Sequence, residues 1–374
     1  MKKILIANRG EIAIRIARSC QDLGIKTVGI FSQDDSKSLH LSKVDEAYEV
    51  EGKGASAYLN IKEIISIAKE AKVDAVHPGY GFLSENPKFV SALKRSKIKF
   101  IGPNERALKV FGDKTSAKAL AAELSVPIIL GTSSKTNLKQ AETFFKGLKK
   151  NSSLLIKAIS GGGGRGMRVV SKLADLKEAF ERASSEAKAS FDSPDLYVEE
   201  FLKDYRHIEI QILGDGSGNV IHLHERECSI QRRHQKLIEI APSPSLNQDL
   251  KKRMIDASLA FGEKIKYEGL ATIEFLVNVE KEDFRFIECN PRLQVEHTVT
   301  ESITSLDLVK LQIQIASGKS LTQLKLNQDQ IKEPRGFAIQ SRVNMETIGK
   351  DGNANPGGGI FESFDLPSGP NVRA

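Results

Sequence analysis

Two carboxylates interrupt apolar strands in this sequence of 374 residues: Glu274 in Thr272-Ile-Glu-Phe-Leu and Glu288 in Phe286-Ile-Glu-Cys-Asn290. A lone carboxylate inside a strand is ordinarily a solvated position on one face. Two of them, with Asn290 two residues further on, aim three oxygen ligands the same way if the strands are neighbours, because side chains alternate along a strand. Hard oxygen donors of this kind suit Mg²⁺ bridging nucleotide phosphates. The next segment, Asn290-Pro-Arg292-Leu-Gln294-Val295-Glu296-His297, packs a guanidinium, an amide and a carboxylate into a few residues. Arginine can hold a planar oxyanion through paired hydrogen bonds, and a nearby carboxylate can take its proton. The plainer reading is a solvated turn; the density of polar types after a buried strand argues against it.

A glycine loop gives the carboxylates a partner. Lys157-Ala-Ile-Ser-Gly161-Gly162-Gly163-Gly164-Arg165-Gly166-Met-Arg168 holds five glycines in six residues. Without side chains, backbone N–H groups can approach phosphate oxygens closely, and Lys157 and Arg165 add positive charge. The loop is no Walker A motif, since G-x-x-x-x-G-K-[ST] is absent and it joins strand to strand. It is expected to be a mobile phosphate cover, the alternative being a flexible hairpin tip. A last cluster, Glu225-Arg-Glu-Cys228-Ser-Ile-Gln231-Arg232-Arg233-His234-Gln235-Lys236, reads equally as a surface helix, a basic patch or an anion site. Cys228 is expected to be buried and inert. His207, in the strand Arg206-His-Ile-Glu-Ile-Gln211, is by itself more often a structural histidine.

The elements that must position these residues follow from periodicity. Strands over 3–7, 27–31, 75–77 and 99–101 alternate with helices over 11–20 and 61–71, which predicts an open parallel sheet with helices on both faces. The turn after the first strand has one glycine and not G-x-G-x-x-G, so dinucleotide binding is poorly supported. A helix over 114–124 and a hinge over 131–137 lead to a compact α+β unit: strand, glycine loop and strand over 151–170, a helix over 173–189 and a strand over 195–201. Longer strands follow over 208–213, 220–225, 271–277 and 284–288, with helices over 246–265 and 306–316.

Composition sets the outer bounds. Apolar residues are 40% and charged residues 28%, as in ordinary globular domains. No apolar run approaches the roughly 18–20 residues of a membrane span, and the opening MKKILIANRG is too short in its apolar part for a signal peptide. Three widely spaced cysteines, Cys20, Cys228 and Cys289, fit a reducing, cytoplasmic location better than a disulfide framework or zinc site. The net charge of +7 is scattered over a chain with 6% aromatics and no Trp, so a solvated surface is favoured over a nucleic-acid face.

Seven segments in order then resemble the biotin carboxylase family of the ATP-grasp superfamily over essentially the whole chain: ILIANRGEIA at 4–13, HPGYGFLSEN at 77–86, FIGP at 100–103, GGGGRGMRVV at 161–170, RHIEIQ at 206–211, ERECSIQRRHQK at 225–236 and ECNPRLQVEHTVTE at 288–301. The resemblance implies an N-terminal domain over 1–113, linking helices over 114–130, a mobile lid over 131–202 and a C-terminal, mainly antiparallel domain over 203–374 that would need residues beyond Ala374. It implies that Lys114 and Lys157 meet ATP phosphates under Gly163 and Gly164. Glu199, Glu200, Phe201 and Leu202 would form the adenine hinge, with His207, Gln231 and His234 as further nucleotide contacts. Glu274, Glu288 and Asn290 would hold two Mg²⁺ or Mn²⁺ ions. Lys236, Arg292, Gln294, Val295 and Glu296 would bind bicarbonate, with Glu296 as its base, and Arg342 would steady the biotin enolate.

The implied reaction is carboxylation of carrier-bound biotin through carboxyphosphate, within a homodimer or larger assembly that includes a carboxyltransferase, away from nucleic acid and membrane. Ile240, Glu200 and Thr298 depart from common family residues. Thr298 and the stretch 356–372 resemble pyruvate and acyl-CoA carboxylases that carry several modules in one chain. Competing readings are another ATP-grasp ligase, such as the carbamoyl-phosphate synthetase large subunit, and a non-catalytic ATP-binding module.

Overall fold

A computed structural model describes the chain except residues 133, 160–166, 233–234, 351–353 and 358–361. Gly163, Gly164 and His234 therefore lie outside the described residues. Two compact units are distinguished, Met1–Gln340 and Ser341–Ala374. Arg342 belongs to the second, which holds a two-stranded antiparallel pair, Glu346–Ile348 with Ala354–Pro356.

The first unit opens with the parallel sheet that the periodicity predicts. Strands β1 (Lys3–Ile6), β2 (Lys26–Ser32), β3 (Glu46–Val50), β4 (Ala75–His77) and β5 (Lys99–Phe100) lie in the order β3-β2-β1-β4-β5. Strand β1 is buried on both sides: Ile4 and Ile6 join a core with Ile12 and Ile16 of helix Gly10–Asp22, while Leu5 joins Ile64 and Phe89 on the opposite face. That is why the strand reads as an unbroken apolar run. Asn8, after β1, donates through Nδ2 to the Pro78 and Tyr80 carbonyls at 2.7 and 2.8 Å. This pins the 77–86 segment beside the first turn. Asn86 then caps helix Pro87–Arg95, with proline at the first turn where its missing N–H costs nothing.

A small antiparallel sheet follows, in the order β7-β6-β8, from β6 (Ser153–Ala158), β7 (Arg168–Val170) and β8 (Leu196–Phe201). Its even positions, Leu154, Ile156, Leu196 and Val198, pack with helices Leu138–Gly147 and Leu176–Phe191. By alternation the odd positions, including Lys157, Tyr197, Glu199 and Phe201, take the other face.

The largest sheet, also antiparallel where its pairings are described, contains β9 (Arg206–Asp215), β10 (Val220–Arg232), β11 (Gln235–Ala241), β12 (Glu268–Asn278) and β13 (Asp283–Asn290). They run β13-β12-β9-β10-β11, with the short strand Ala338–Ser341 beside β11. Helix Gln248–Ile265, capped by Asn247, covers β9 and β10 with Met254, Phe261 and Ile265. Strand β10 continues through Arg232, so the 225–232 segment is no surface helix. Glu225, Arg226, Glu227 and Cys228 are all buried there.

Candidate active site

Register builds the centre of the site. Arg226 of β10 pairs with Glu209 of β9, Glu209 with Glu274 of β12, and Glu274 with Glu288 of β13. Directly paired residues share a face, so four charged side chains form one row across four strands. His207 and Gln211 flank Glu209 on that face, and Asn290 lies two positions beyond Glu288. The row depends on a bulge. Between His222 and Glu225 strand β10 gains a residue relative to β9, with His224 at φ 65°, and this turns Arg226 toward Glu209.

Lys236, arriving on β11, sits among three carboxylates. Its Nζ donates to Glu209 Oε2 at 2.6 Å, Glu274 Oε1 at 3.0 Å and Glu296 Oε1 at 2.6 Å. An ammonium has three donors, so all of them go to carboxylates. Glu274 also accepts from Asn290 at 2.8 Å and Gln294 at 2.9 Å, and His207 Nε2 lies 2.7 Å from its other oxygen. Gln231 Nε2 in turn lies 2.8 Å from His207 Nδ1. Burial alone would push the Glu274 carboxyl up; Lys236 and His207 outweigh it and hold it well below the usual range. Burial works against the Lys236 charge too, but Glu209, Glu274 and Glu296 raise its pKa well above that of a free lysine.

Arg226 is completely buried and spends its donors on Glu209, Gln211, Thr300, Thr272 and Gln294. It thereby fixes Gln294, whose amide faces Glu274. Arg292 donates to Asn290 Oδ1 at 2.9 Å and forms an ion pair with Glu85 at 3.2 Å. The 77–86 segment thus reaches the 290–297 turn. Helix His297–Thr304, which continues that turn, is tied to the first helix by Arg15, which bonds Glu301 at 2.6 Å and Asp307 at 2.7 Å.

A second cluster lies on the open face of the small sheet. Glu199 is buried and carries two ammonium partners, Lys118 on Oε1 and Lys157 on Oε2, the latter at 2.9 Å. Lys114, Lys118 and Lys157 lie 5.9, 5.0 and 5.8 Å from the centre of the Tyr197 ring, within cation–π range. A cavity of about 1340 Å³ adjoins this face, with Lys114, Lys118, Tyr197, Glu200, Phe201 and Leu202 on its wall. Such a volume is at or above the upper end of small-molecule sites. Burial would raise the Glu199 carboxyl; Lys157 and Lys118 more than offset this and keep it ionised.

Glu274 and Glu288 on paired strands, with Asn290 beside them, are hard oxygen donors of the type that suits Mg²⁺. Here Glu274 is taken by Lys236, Asn290, Gln294 and His207, and Asn290 Oδ1 by Arg292, so a cation would have to displace these partners. Glu209 belongs to two compact groups of His, Cys, Asp or Glu donors, but its oxygens are occupied by Arg226 and Lys236. All three cysteines are buried and free, and burial raises the Cys228 thiol far above reactive values.

The sequence reading did not single out Glu209, Arg226, Lys118 or Glu85. Glu209 carries the same mark as Glu274 and Glu288, a carboxylate between apolar neighbours. Lys118 follows Lys114 by one helical turn, which puts both ammoniums on one face.

The first 108 residues match the family model described as biotin carboxylase, N-terminal domain. Residues 113–324 match the carbamoyl-phosphate synthase L chain, ATP binding domain. A crystal structure of a biotin carboxylase from Campylobacter jejuni superposes with a TM-score of 0.93 at 40% identity, covering 100% of this chain and 81% of that one. The chain belongs to the biotin carboxylase family. Its fold is that of the family's ATP-grasp structures, and membership makes it an ATP-dependent ligase module. The biotin carboxylase domain of Hydrogenobacter thermophilus 2-oxoglutarate carboxylase, a dimer with MgADP, ADP and bicarbonate, is 41% identical with a TM-score of 0.92, covering 98% of this chain and 80% of that one. Pyruvate carboxylase of Bacillus subtilis is 49% identical over 92% of this chain and 30% of its own length. Human mitochondrial pyruvate carboxylase is 47% identical over 100% of this chain and 31% of its own. The chain therefore spans under a third of these curated relatives. No helix among the described residues is long and apolar enough to cross a membrane.

Proposed function

We propose that this chain catalyses the first half-reaction of a biotin-dependent carboxylase, the ATP- and bicarbonate-dependent carboxylation of biotin. The observation that carries the reading is the meeting of Glu296, Glu274 and Glu209 on the single ammonium of Lys236, with Arg292 anchored nearby on Asn290.

ATP lies along the open face of the small sheet. Lys114 and Lys157 contact its phosphates, Gly163 and Gly164 cover them, and Glu199, Glu200, Phe201 and Leu202 border the adenine. His207, Gln231 and His234 complete the nucleotide contacts. Glu274, Glu288 and Asn290 would hold two Mg²⁺ or Mn²⁺ ions, which would supply charge neutralisation to the phosphates.

Bicarbonate takes donors from Lys236, Arg292, the Gln294 amide and the Val295 backbone. An anion that draws a Lys236 donor away from Glu296 leaves that carboxylate more basic. Glu296 then removes the bicarbonate proton, and the freed oxygen attacks the γ-phosphorus. ADP leaves and carboxyphosphate forms. It breaks into CO₂ and phosphate, phosphate takes the N1′ proton of biotin, and the resulting nucleophile captures CO₂. The resemblance alone assigns Arg342, in the second unit, to the biotin enolate. Closure of the lid over 131–202 keeps water from the reactive intermediate.

On this reading residues 1–113 are the N-terminal domain, 114–130 the linking helices, 131–202 a lid and 203–374 the domain that carries the acid–base residues. Biotin arrives on a carrier domain or protein, and a carboxyltransferase consumes the product, in a cytoplasmic homodimer or larger assembly. The test is ADP release by the purified chain with bicarbonate and free biotin varied separately. Release that needs bicarbonate and rises with biotin supports the reading; turnover indifferent to both overturns it.

A further inference from the structure

Lys118 lies outside every role assigned above, yet it touches the same buried carboxylate as Lys157. Glu199 and Lys157 are diagonal neighbours on the open face of the small sheet, because Leu155 pairs with Glu199 and Lys157 with Tyr197. Lys118 reaches Glu199 from a different element, helix Lys114–Glu123. The carboxylate is nearly sealed from water, whereas both ammoniums keep a little exposure. Of the two, Lys118 is on the wall of the adjoining cavity, with Lys114 one turn away.

This arrangement poses an electrostatic problem for phosphate binding. If Lys157 turns toward a polyphosphate, Glu199 loses an ammonium partner. A buried carboxylate stripped of its cations is costly, because desolvation is no longer offset. With Lys118 in place, Glu199 keeps one cation and Lys157 is free to leave. Without Lys118, every phosphate contact made by Lys157 exposes a buried, uncompensated charge.

We propose that Lys118 is a positioning residue of the nucleotide site: it neutralises Glu199 so that Lys157 can exchange that carboxylate for the nucleotide phosphates. The proposal rests on the assignment of Lys157 to ATP phosphates. It makes Glu199 a resting partner for Lys157, and it makes the Lys118–Glu199 pair the element that lowers the cost of the exchange.

The test is calorimetric titration of the whole chain with the magnesium complex of adenylyl-imidodiphosphate, and separately with adenosine. Lys118→Met is expected to weaken the triphosphate analogue about tenfold and to leave adenosine binding nearly unchanged. Glu199→Gln added to Lys118→Met is expected to recover most of the loss, since the charge that held Lys157 is gone. Lys118→Arg is expected to bind like the parent. A merely structural Lys118 would weaken both ligands together, with no recovery from Glu199→Gln, and either result overturns the proposal. Lys157→Met separates the two layers. If it leaves the analogue's affinity unchanged, the phosphate assignment of Lys157 fails. If it weakens the analogue while Lys118→Met does not, only the role of Lys118 fails.

Discussion

The two charged clusters are built with opposite stoichiometry. On the large sheet three carboxylates, Glu209, Glu274 and Glu296, share the ammonium of Lys236. On the small sheet two ammoniums, Lys118 and Lys157, share the carboxylate of Glu199, and Lys114 stands near the same tyrosine ring. A surplus of anions suits metal ions and the acceptance of a proton. A surplus of cations suits phosphate. The difference teaches that the two sheets differ in charge balance in the way the proposed reaction requires, anionic where a proton is taken and cationic where phosphate sits.

The largest expected effect comes from removing the hub of the anionic cluster. Lys236→Met leaves three buried carboxylates without their shared donor. Urea unfolding should show a loss of about 3–5 kcal/mol, and bicarbonate-dependent ADP release should fall below detection. A stable, active variant would break the comparison. Arg226→Met should cost nearly as much stability, about 3 kcal/mol, because Glu209 loses one cation and four further acceptors lose their donor. Arg226 lies outside the cationic cluster, so Arg226→Met protein that remains folded should bind nucleotide normally in the same calorimetric assay.

A smaller effect is expected in the cationic cluster. Lys157→Met should raise the KM for ATP roughly 10-fold to 100-fold and change folding stability by about 1–2 kcal/mol, since Glu199 retains Lys118. Steady-state kinetics with ATP varied at saturating bicarbonate checks it. If stability fell as far as in Lys236→Met, the asymmetry between the clusters would be wrong.

The smallest effect concerns pH and sharpens what the clusters share. Glu274 and Glu199 are held below the ordinary carboxylate value of 4.5, so their contribution is full above that value and is lost only as pH falls through the folded one. Lys236 and Lys157 are raised above 10.5, so theirs is full below that value and is lost on the alkaline side. The contributions of these four groups are therefore flat across neutral pH. Those of three histidines are not: buried His77 and His224 and half-buried His222 all have their pKa lowered by burial. Burial pushes His77 down to about 3 and His222 down to about 4, against an ordinary value of 6.5. A depressed histidine gives stability that is present above 6.5 and lost as pH falls below it. Thermal melting should thus decline first between pH 6.5 and 4.5, by a few degrees, and more steeply below. His222→Gln should lessen the first stage without abolishing it, because His77 and His224 are also held neutral by burial, and should leave the second stage unchanged.

Much of this organisation is written in local sequence. The parallel sheet is legible because strands such as Lys3–Ile6 are apolar on both faces and alternate with helices of clear period. Glu274 and Glu288 stand out as single charges in apolar strands, and the structure pairs them directly. Strand β3, Glu46–Val50, is not legible because its sequence EAYEV is short, two glutamates interrupt its apolar residues, and only Val50 is buried. The far half of β10 was not distinguished from a helix because buried Glu225, Arg226 and Glu227 erase the apolar pattern that marks a strand. Their burial is affordable only through partners distant in sequence, such as Glu209, Gln294 and Thr300 for Arg226. A bulge at His224 decides which face each side chain takes, and a polar stretch gives no period by which to place it. Lys118 and Glu85 were hidden for the same reason: each is an ordinary charged residue until the fold brings Glu199 or Arg292 to it.

The central claim is that Glu296, held on Lys236, takes the bicarbonate proton. It is tested most directly by single-turnover ADP release with and without bicarbonate, in the parent chain and in Glu296→Gln, with nucleotide affinity measured on the same samples. The expected result is bicarbonate-dependent release in the parent, reduced by about 10²–10⁴-fold in Glu296→Gln, at unchanged nucleotide affinity. Equal release by the two proteins, or release that ignores bicarbonate in the parent, would contradict it.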